Sequence, residues 1–430
     1  FKQKTAYEML RSLVGSEMCI RDRTYILIIA AFAGFFMAFG IGANDVANAM
    51  GPSVGSKAIT FRQAIFIAAI FEFLGAYLAG GEVTATIRKG IVDPSLYADN
   101  TDIFIIGMLS SLLAAGTWLF VASQKGWPVS TTHSIVGAIV GFVIISLGFE
   151  AVSWSKVGNI ASSWVVSPLI SGAMSFLIFL SAKKLILDRT NPGQAAISLI
   201  PIYSFFVAVI IALVTARKGL KHVGLPLSDG EVLVVTLVFG LIVAIITAIF
   251  LNLNAKKIKE HGVESAFAIL MIVTACSMAF AHGSNDVANA IGPMSAIISV
   301  VSEGSIGSNA AVNSWTLLLG GVGIVFGLSM LGARVIKTIG SKITELTPSL
   351  AFSANIAAAS TVVAATYLGF PISTTHTLVG AVIGVGLAKG VAHIDLSSIV
   401  KIILSWLITI PVGASLTIIF YVILRIIFGV

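Results

Sequence analysis

Long apolar runs, met about twelve times in 430 residues, constrain this chain more than any other feature. A helix rises about 1.5 Å per residue and a bilayer's hydrocarbon is about 30 Å thick, so a spanning helix needs about 20 mostly apolar residues. Runs of that kind lie near 24–43, 61–81, 102–123, 129–148, 157–181, 195–216, 230–251, 265–283, 310–333, 350–369, 371–389 and 399–428. Only 10% of residues are charged, against about a quarter in soluble domains, so water cannot be the solvent for most of this surface. The expected fold class is an all-α polytopic membrane protein with about twelve transmembrane segments. Two pairs of runs, 102–123 with 129–148 and 350–369 with 371–389, have such short connections that they predict helical hairpins, some members half-length.

The net charge of +7 does not mark a nucleic-acid partner, because the bases sit in the joints between runs. Joints after odd-numbered runs hold most of them, among them Lys57, Arg62, Lys125, Lys183, Lys256 and Arg334. Even joints hold only Arg88, Lys89, Lys156, Arg217, Lys218 and Lys221. That bias places both termini outside the cytoplasm in a plasma (inner) membrane, although Lys2, Lys4, Arg11, Arg21 and Arg23 oppose it. Residues 1–23 are polar and lack a sustained apolar run, which reads either as a foreign extension or as an ordinary disordered tail or short amphipathic helix. Cys19 and Cys276 are too few for a disulfide framework or a metal cluster.

The chain also repeats itself. Gly42-Ala-Asn-Asp-Val-Ala-Asn-Ala-Met-Gly-Pro52 returns as Gly283-Ser-Asn-Asp-Val-Ala-Asn-Ala-Ile-Gly-Pro293, and Pro128-Val-Ser-Thr-Thr-His-Ser134 returns as Pro371-Ile-Ser-Thr-Thr-His-Thr377. Both motifs recur in the same order at nearly one offset, about 241 and 243 residues. The expected organisation is therefore 24–181 as an N-terminal repeat, 182–264 as connecting segments and 265–430 as a C-terminal repeat. Seven crossings separate the motif copies if every run spans, and an odd count makes the repeats inverted in topology, an arrangement of transporters.

An acid among apolar segments costs about 2.5–3.5 kcal/mol at a helix centre, so Asp45 and Asp286 need partners. Sodium is a natural one: it prefers oxygens, which the carboxylates, the amides of Asn44, Asn48, Asn285 and Asn289, and freed backbone carbonyls supply together. The flanking Gly42, Gly51, Gly283 and Gly292, with Pro52 and Pro293, are expected to break the helix and release those carbonyls. Glu72, in the middle of an apolar run, is a further cation ligand or a proton carrier, and Asn313 is its approximate repeat partner. The Ser-Thr-Thr strings suit an anion. Proline favours a first helical turn, so Ser130, Thr131, Thr132, Ser373, Thr374 and Thr375 would cluster at helix starts, where unpaired N–H groups and the dipole attract negative charge. Capping and interhelical packing are the plainer roles for the same hydroxyls. His133 and His376 support those turns or relay protons. No Walker A string appears, and no HExxH, CxxC or GxSxG nucleophile elbow appears in a credible setting, which argues against an enzyme.

The two motif pairs resemble the inorganic phosphate transporter family known as PiT, over essentially residues 24–430. The resemblance implies a sodium- or proton-coupled phosphate symporter with about twelve crossings and an inverted repeat. It implies that Asp45, Asn48, Asp286 and Asn289 form the ion and phosphate cradle, that Ser130, Thr131, Ser373 and Thr374 contact phosphate, and that Glu72 is the family's acid in its second segment. Asn355 stands where family members often carry another acid, which bears on coupling stoichiometry. The implied partners are inorganic phosphate, sodium and the lipid bilayer, with a homodimer admitted and no cofactor beyond the coupling ion. Proton coupling, sulfate as substrate, a passive anion channel and an intramembrane hydrolase are the alternatives.

Overall fold

The computed structural model describes residues 6–90, 93–219, 227–303, 312–342, 345–390 and 395–430, with the backbone alone for 6–22. Lys2, Lys4 and Lys221, used above for orientation, lie outside the described residues. Helices account for all the regular structure described: α1 (Ala6–Gly55), α2 (Phe61–Ala79), α3 (Gly81–Gly90), α4 (Thr101–Lys125), α5 (Thr131–Leu147), α6 (Trp154–Ala182), α7 (Pro192–Val214) and α8 (Asp229–Leu253) come first. After them run α9 (Ala255–His261), α10 (Glu264–Asp286), α11 (Ala288–Glu303), α12 (Ser314–Lys342), α13 (Pro348–Tyr367), α14 (Thr374–Lys389) and α15 (Leu396–Phe428).

Local chemistry sets the ends of these helices. Thr60 with Gln63 and Ser228 with Glu231 form capping boxes that start α2 and α8. Asn191 before Pro192 starts α7, and Thr347 before Pro348 starts α13. The two hairpins turn alike: Gly126 at φ 67° closes α4, Gly369 at φ 72° follows α13, and a proline comes two residues after each. Only glycine takes that left-handed conformation without strain.

Among the described residues ten helices are long and apolar enough to cross a bilayer. Each of the twelve expected runs contains a helix, but α5 has 17 residues and α14 has 16, short of the about 20 a crossing needs. These are the second arms of the hairpins and they carry the Ser-Thr-Thr strings. With them short, a parity count that treats every run as a crossing loses its basis. The packing pairs equivalent elements of the two repeats. α1 lies on α12 as α10 lies on α2, α5 on α15 as α14 on α6, and α4 on α15 as α13 on α6. Each contact has its counterpart with the repeats exchanged.

Glycines let the paired helices approach. A Cβ on Gly42 would run into the carbonyl of Ile324, and one on Gly283 into the carbonyl of Glu72. These glycines therefore serve close packing rather than helix breakage, contrary to the expectation. In the first repeat α1 passes through the whole motif unbroken, whereas the second breaks at Val287. Pro52 and Pro293 do not break their helices either, but they lack the N–H that would bond the carbonyls four residues earlier, those of Asn48 and Asn289. The same glycine contacts correct the pairing of Glu72. Its counterpart across the repeats is Ile324, buried in α12, and Asn313 lies exposed before that helix.

The duplicated plan is filled unequally. A cavity of about 630 Å³ opens between α1 and α4 of the first repeat and α11 and α15 of the second, among Ile26, Ile105, Leu109, Val300 and Phe428. Phe267 and Phe352, the counterparts of Ile26 and Leu109, instead pack in an apolar cluster with Ile186, into which α7 inserts Ala196 and Ile200.

Candidate functional site

Four side chains with ionisable groups meet inside the bundle, none more than 1% exposed: Asp45 on α1, Glu72 on α2, and His282 and Asp286 on α10. His282 is central. Its Nε2 is 3.0 Å from Asp286 Oδ2 and 3.9 Å from Asp45 Oδ2, and its Nδ1 is 3.3 Å from Glu72 Oε2. These are ion-pair distances, yet neither ring nitrogen is in line for a hydrogen bond, and both oxygens of Asp45 and of Glu72 lack hydrogen-bond partners. His282 alone supplies these carboxylates with an ion-pair contact among the described residues. One imidazole cannot balance three carboxylates if all are ionised, and an unpaired buried charge costs several kcal/mol. The cluster is complementary to cations.

His282 was not among the residues singled out in the sequence, although a signal was there. It stands four residues before Asp286 on one helix, hence on the same face, and a histidine inside an apolar run marks a site by default. Ile41 holds the equivalent place in the first repeat, so a search for duplicated residues passes over it.

Directly beside the acids, the tips of α5 and α14 converge. Ser130 and Ser373 are the N-caps, accepting from the backbone N–H of His133 at 3.2 Å and of His376 at 3.3 Å. Pro128 and Pro371 sit two residues before the caps rather than in the first turn. The tips are tied crosswise: Thr132 donates to the Ile372 carbonyl at 2.9 Å and Thr375 to the Val129 carbonyl at 3.4 Å. Asn48 donates to Thr374 and Thr375, at 3.4 and 2.8 Å, and Asn289 donates to Thr131 and Thr132, at 3.4 and 3.3 Å. Thr374 donates to Asp286 Oδ2 at 2.6 Å, joining the hydroxyl cluster to the acids. Each asparagine thus crosses to the other repeat's Ser-Thr-Thr turn.

The remaining sequence candidates occupy the margin. Asn44 donates to Ser123 and to the Trp127 carbonyl and accepts from the Val129 N–H, bracing α1 against the first hairpin. Asn285 braces the second through Thr366 and the Phe370 carbonyl, and its Oδ1 has no partner. Asn355 is buried and donates to Ser53 at 3.1 Å.

Chemically the site offers anionic oxygens on one side. On the other are two helix N-termini, whose first N–H groups, those of Thr131, Thr132, Thr374 and Thr375, have no partner within their own helices. Such a pairing takes a cation and an anion side by side. Residues 41–417 match the phosphate transporter family. A protein of Haemophilus influenzae described as a phosphate permease is 51% identical over 413 residues, covering 94% of this chain and 98% of its own. Inorganic phosphate transporter 2-1, chloroplastic, of Arabidopsis thaliana is 43% identical over 422 residues, covering 90% of this chain and 70% of its own. A solved structure described as the sodium-dependent phosphate transporter superposes with a TM-score of 0.85 at 39% identity, over 94% of this chain and all of that one. The family match spans most of the chain and contains both motif pairs, so this multi-pass membrane protein belongs to the phosphate transporter family, whose members are transporters and not enzymes.

Proposed function

We propose that the chain is a symporter that carries inorganic phosphate together with sodium. The observation that carries the reading is the junction at Thr374, whose hydroxyl lies between the Asp286 carboxylate and the two helix N-termini. Sodium would sit among Asp45, Asp286, the Asn285 amide oxygen and the freed carbonyls of Asn48 and Asn289. Asn44 keeps its bracing contacts and contributes from the margin, and Glu72 acts from behind His282.

Phosphate would bind across the paired turns. The hydroxyl hydrogens of Thr132 and Thr375 are already given to carbonyls, so these two residues offer backbone N–H groups. Thr131 offers its hydroxyl, and Thr374 does so once sodium rather than Thr374 satisfies Asp286. Cation binding neutralises the acids before the anion arrives, which couples the two ions. Alternating access would follow from rocking the hairpin tips against the surrounding helices, with the two repeats inverted.

Labelled phosphate uptake into proteoliposomes tests this, with an inward sodium gradient, an inward proton gradient or neither. Accumulation above equilibrium with the sodium gradient alone supports the reading. Accumulation with the proton gradient alone transfers the coupling to protons, and equilibration without accumulation makes the protein a passive path.

A further inference from the structure

Behind the Ser-Thr-Thr turns, on the side away from the acids in each sequence string, four aromatic side chains interlock. The rings of His133 and His376 meet edge-on with centroids 4.5 Å apart. The His133 ring lies 3.8 Å from that of Trp164 on α6, and the His376 ring stacks 3.5 Å from that of Trp406 on α15. The hydrogen bonds run the other way: His133 Nδ1 is 3.3 Å from the Trp406 carbonyl, and His376 Nδ1 is 3.1 Å from the Trp164 carbonyl. A carbonyl only accepts, so both Nδ1 atoms carry hydrogen and donate. Each tryptophan is used twice, its ring by one histidine and its carbonyl by the other.

We propose that His133 and His376 are positioning residues for phosphate, each holding its own Ser-Thr-Thr turn against a helix of the opposite repeat. The tie is cross-repeat in both directions, α5 to α15 and α14 to α6. It acts at the right place, because each histidine's backbone N–H is the one that the capping serine accepts. A displaced ring therefore displaces the first turn, and with it the N–H groups of the preceding two threonines. The acceptor is provided for. Pro168 lacks the N–H that would bond the carbonyl four residues earlier, which is that of Trp164. Pro411 comes one residue later relative to Trp406, so that carbonyl keeps its helical donor, in line with the longer His133 contact.

The inference rests on the phosphate reading above, and the variants separate the two. Phenylalanine keeps ring stacking and loses the donor, asparagine restores an N–H near Nδ1, and glutamine puts its amide near Nε2. Phosphate KM and kcat are measured in proteoliposomes for His133→Phe, His376→Phe, both together, and the Asn and Gln series. Each Phe variant is expected to raise KM about five- to tenfold with kcat changed less than KM. Asn should recover most of that loss and Gln little. The double variant should cost about as much as one single, because the two ties act as a unit. Wild-type KM in the Phe variants, Asn no better than Gln, or multiplying losses would overturn the proposal, and the Asn-against-Gln comparison decides if the Phe variants do not fold. Thr131→Val and Thr374→Val are run beside them: unchanged KM there removes the phosphate reading itself, whereas raised KM there with unmoved histidine variants removes only the positioning role.

Discussion

Replacing Asp45 by asparagine should make the sodium-free protein more stable while abolishing coupled transport. Asp45 is 1% exposed, and among the described residues neither of its oxygens has a hydrogen-bond partner and its one ion-pair contact is His282 at the long distance of 3.9 Å. Without a cation it is a buried charge with almost nothing to offset its lost hydration, a cost of several kcal/mol per ion. Asparagine has nearly the same shape and no charge, so the expected gain is about 1–3 kcal/mol. Asp286→Asn should gain less, because Asp286 already accepts from Thr374 at 2.6 Å and has His282 at 3.0 Å. Sodium reverses the order. A ligand at about 100 times its Kd stabilises the wild type by about 2.7 kcal/mol, a gain that Asp45→Asn should largely lose. The assay is thermal unfolding of detergent-solubilised protein in choline and in sodium buffers. Asp45→Asn less stable than wild type in choline, or retaining the full sodium shift, would refute the reasoning.

Further outcomes follow from particular contacts. Gly42→Ala and Gly283→Ala should each destabilise by about 1–3 kcal/mol or prevent folding, since the added methyl meets a carbonyl of the neighbouring helix; folded yield and melting temperature read this. Thr131→Val should raise phosphate KM up to about tenfold in uptake assays with little change in melting temperature. Glu264 accepts from the Ser349 N–H at 2.9 Å and from its hydroxyl at 2.7 Å, so Glu264→Ala should cost about 1–3 kcal/mol of stability and leave phosphate KM unchanged. A cysteine at Ile26, half-buried on the cavity, should react with a small water-soluble maleimide faster than one at Phe267, its fully buried counterpart.

Much of this was readable from residues alone, because membrane solvent and duplication leave strong traces. The apolar runs mark every long helix, and the paired motifs mark the residues that meet: Asn48 with Thr375 and Asn289 with Thr132 are contacts between residues 327 and 157 apart, each pair in opposite repeats. What escaped has physical causes. His282 breaks the repeat, so reasoning from duplication could not find it. Glu72 was paired with Asn313 by a constant offset, but the spacing between the motif and the following helix differs between repeats, and only the Gly42–Ile324 and Gly283–Glu72 contacts align them. The motif glycines looked like helix breakers because composition does not say which helix lies alongside. The tight hairpins did suggest half-length members, but the runs did not mark α5 and α14 as the short ones, because their apolar residues continue into the turn before each helix.

The central claim is that cations at the acid cluster and phosphate at the paired turns bind together. Equilibrium binding of labelled phosphate to purified protein, measured in sodium and in choline at one pH, tests it most directly, with Thr131→Val as the control for site occupancy. Linkage predicts that sodium lowers the phosphate Kd by about 5- to 150-fold, and that phosphate tightens sodium by the same factor. A phosphate Kd the same in both media, at a site that Thr131→Val still weakens, would contradict it.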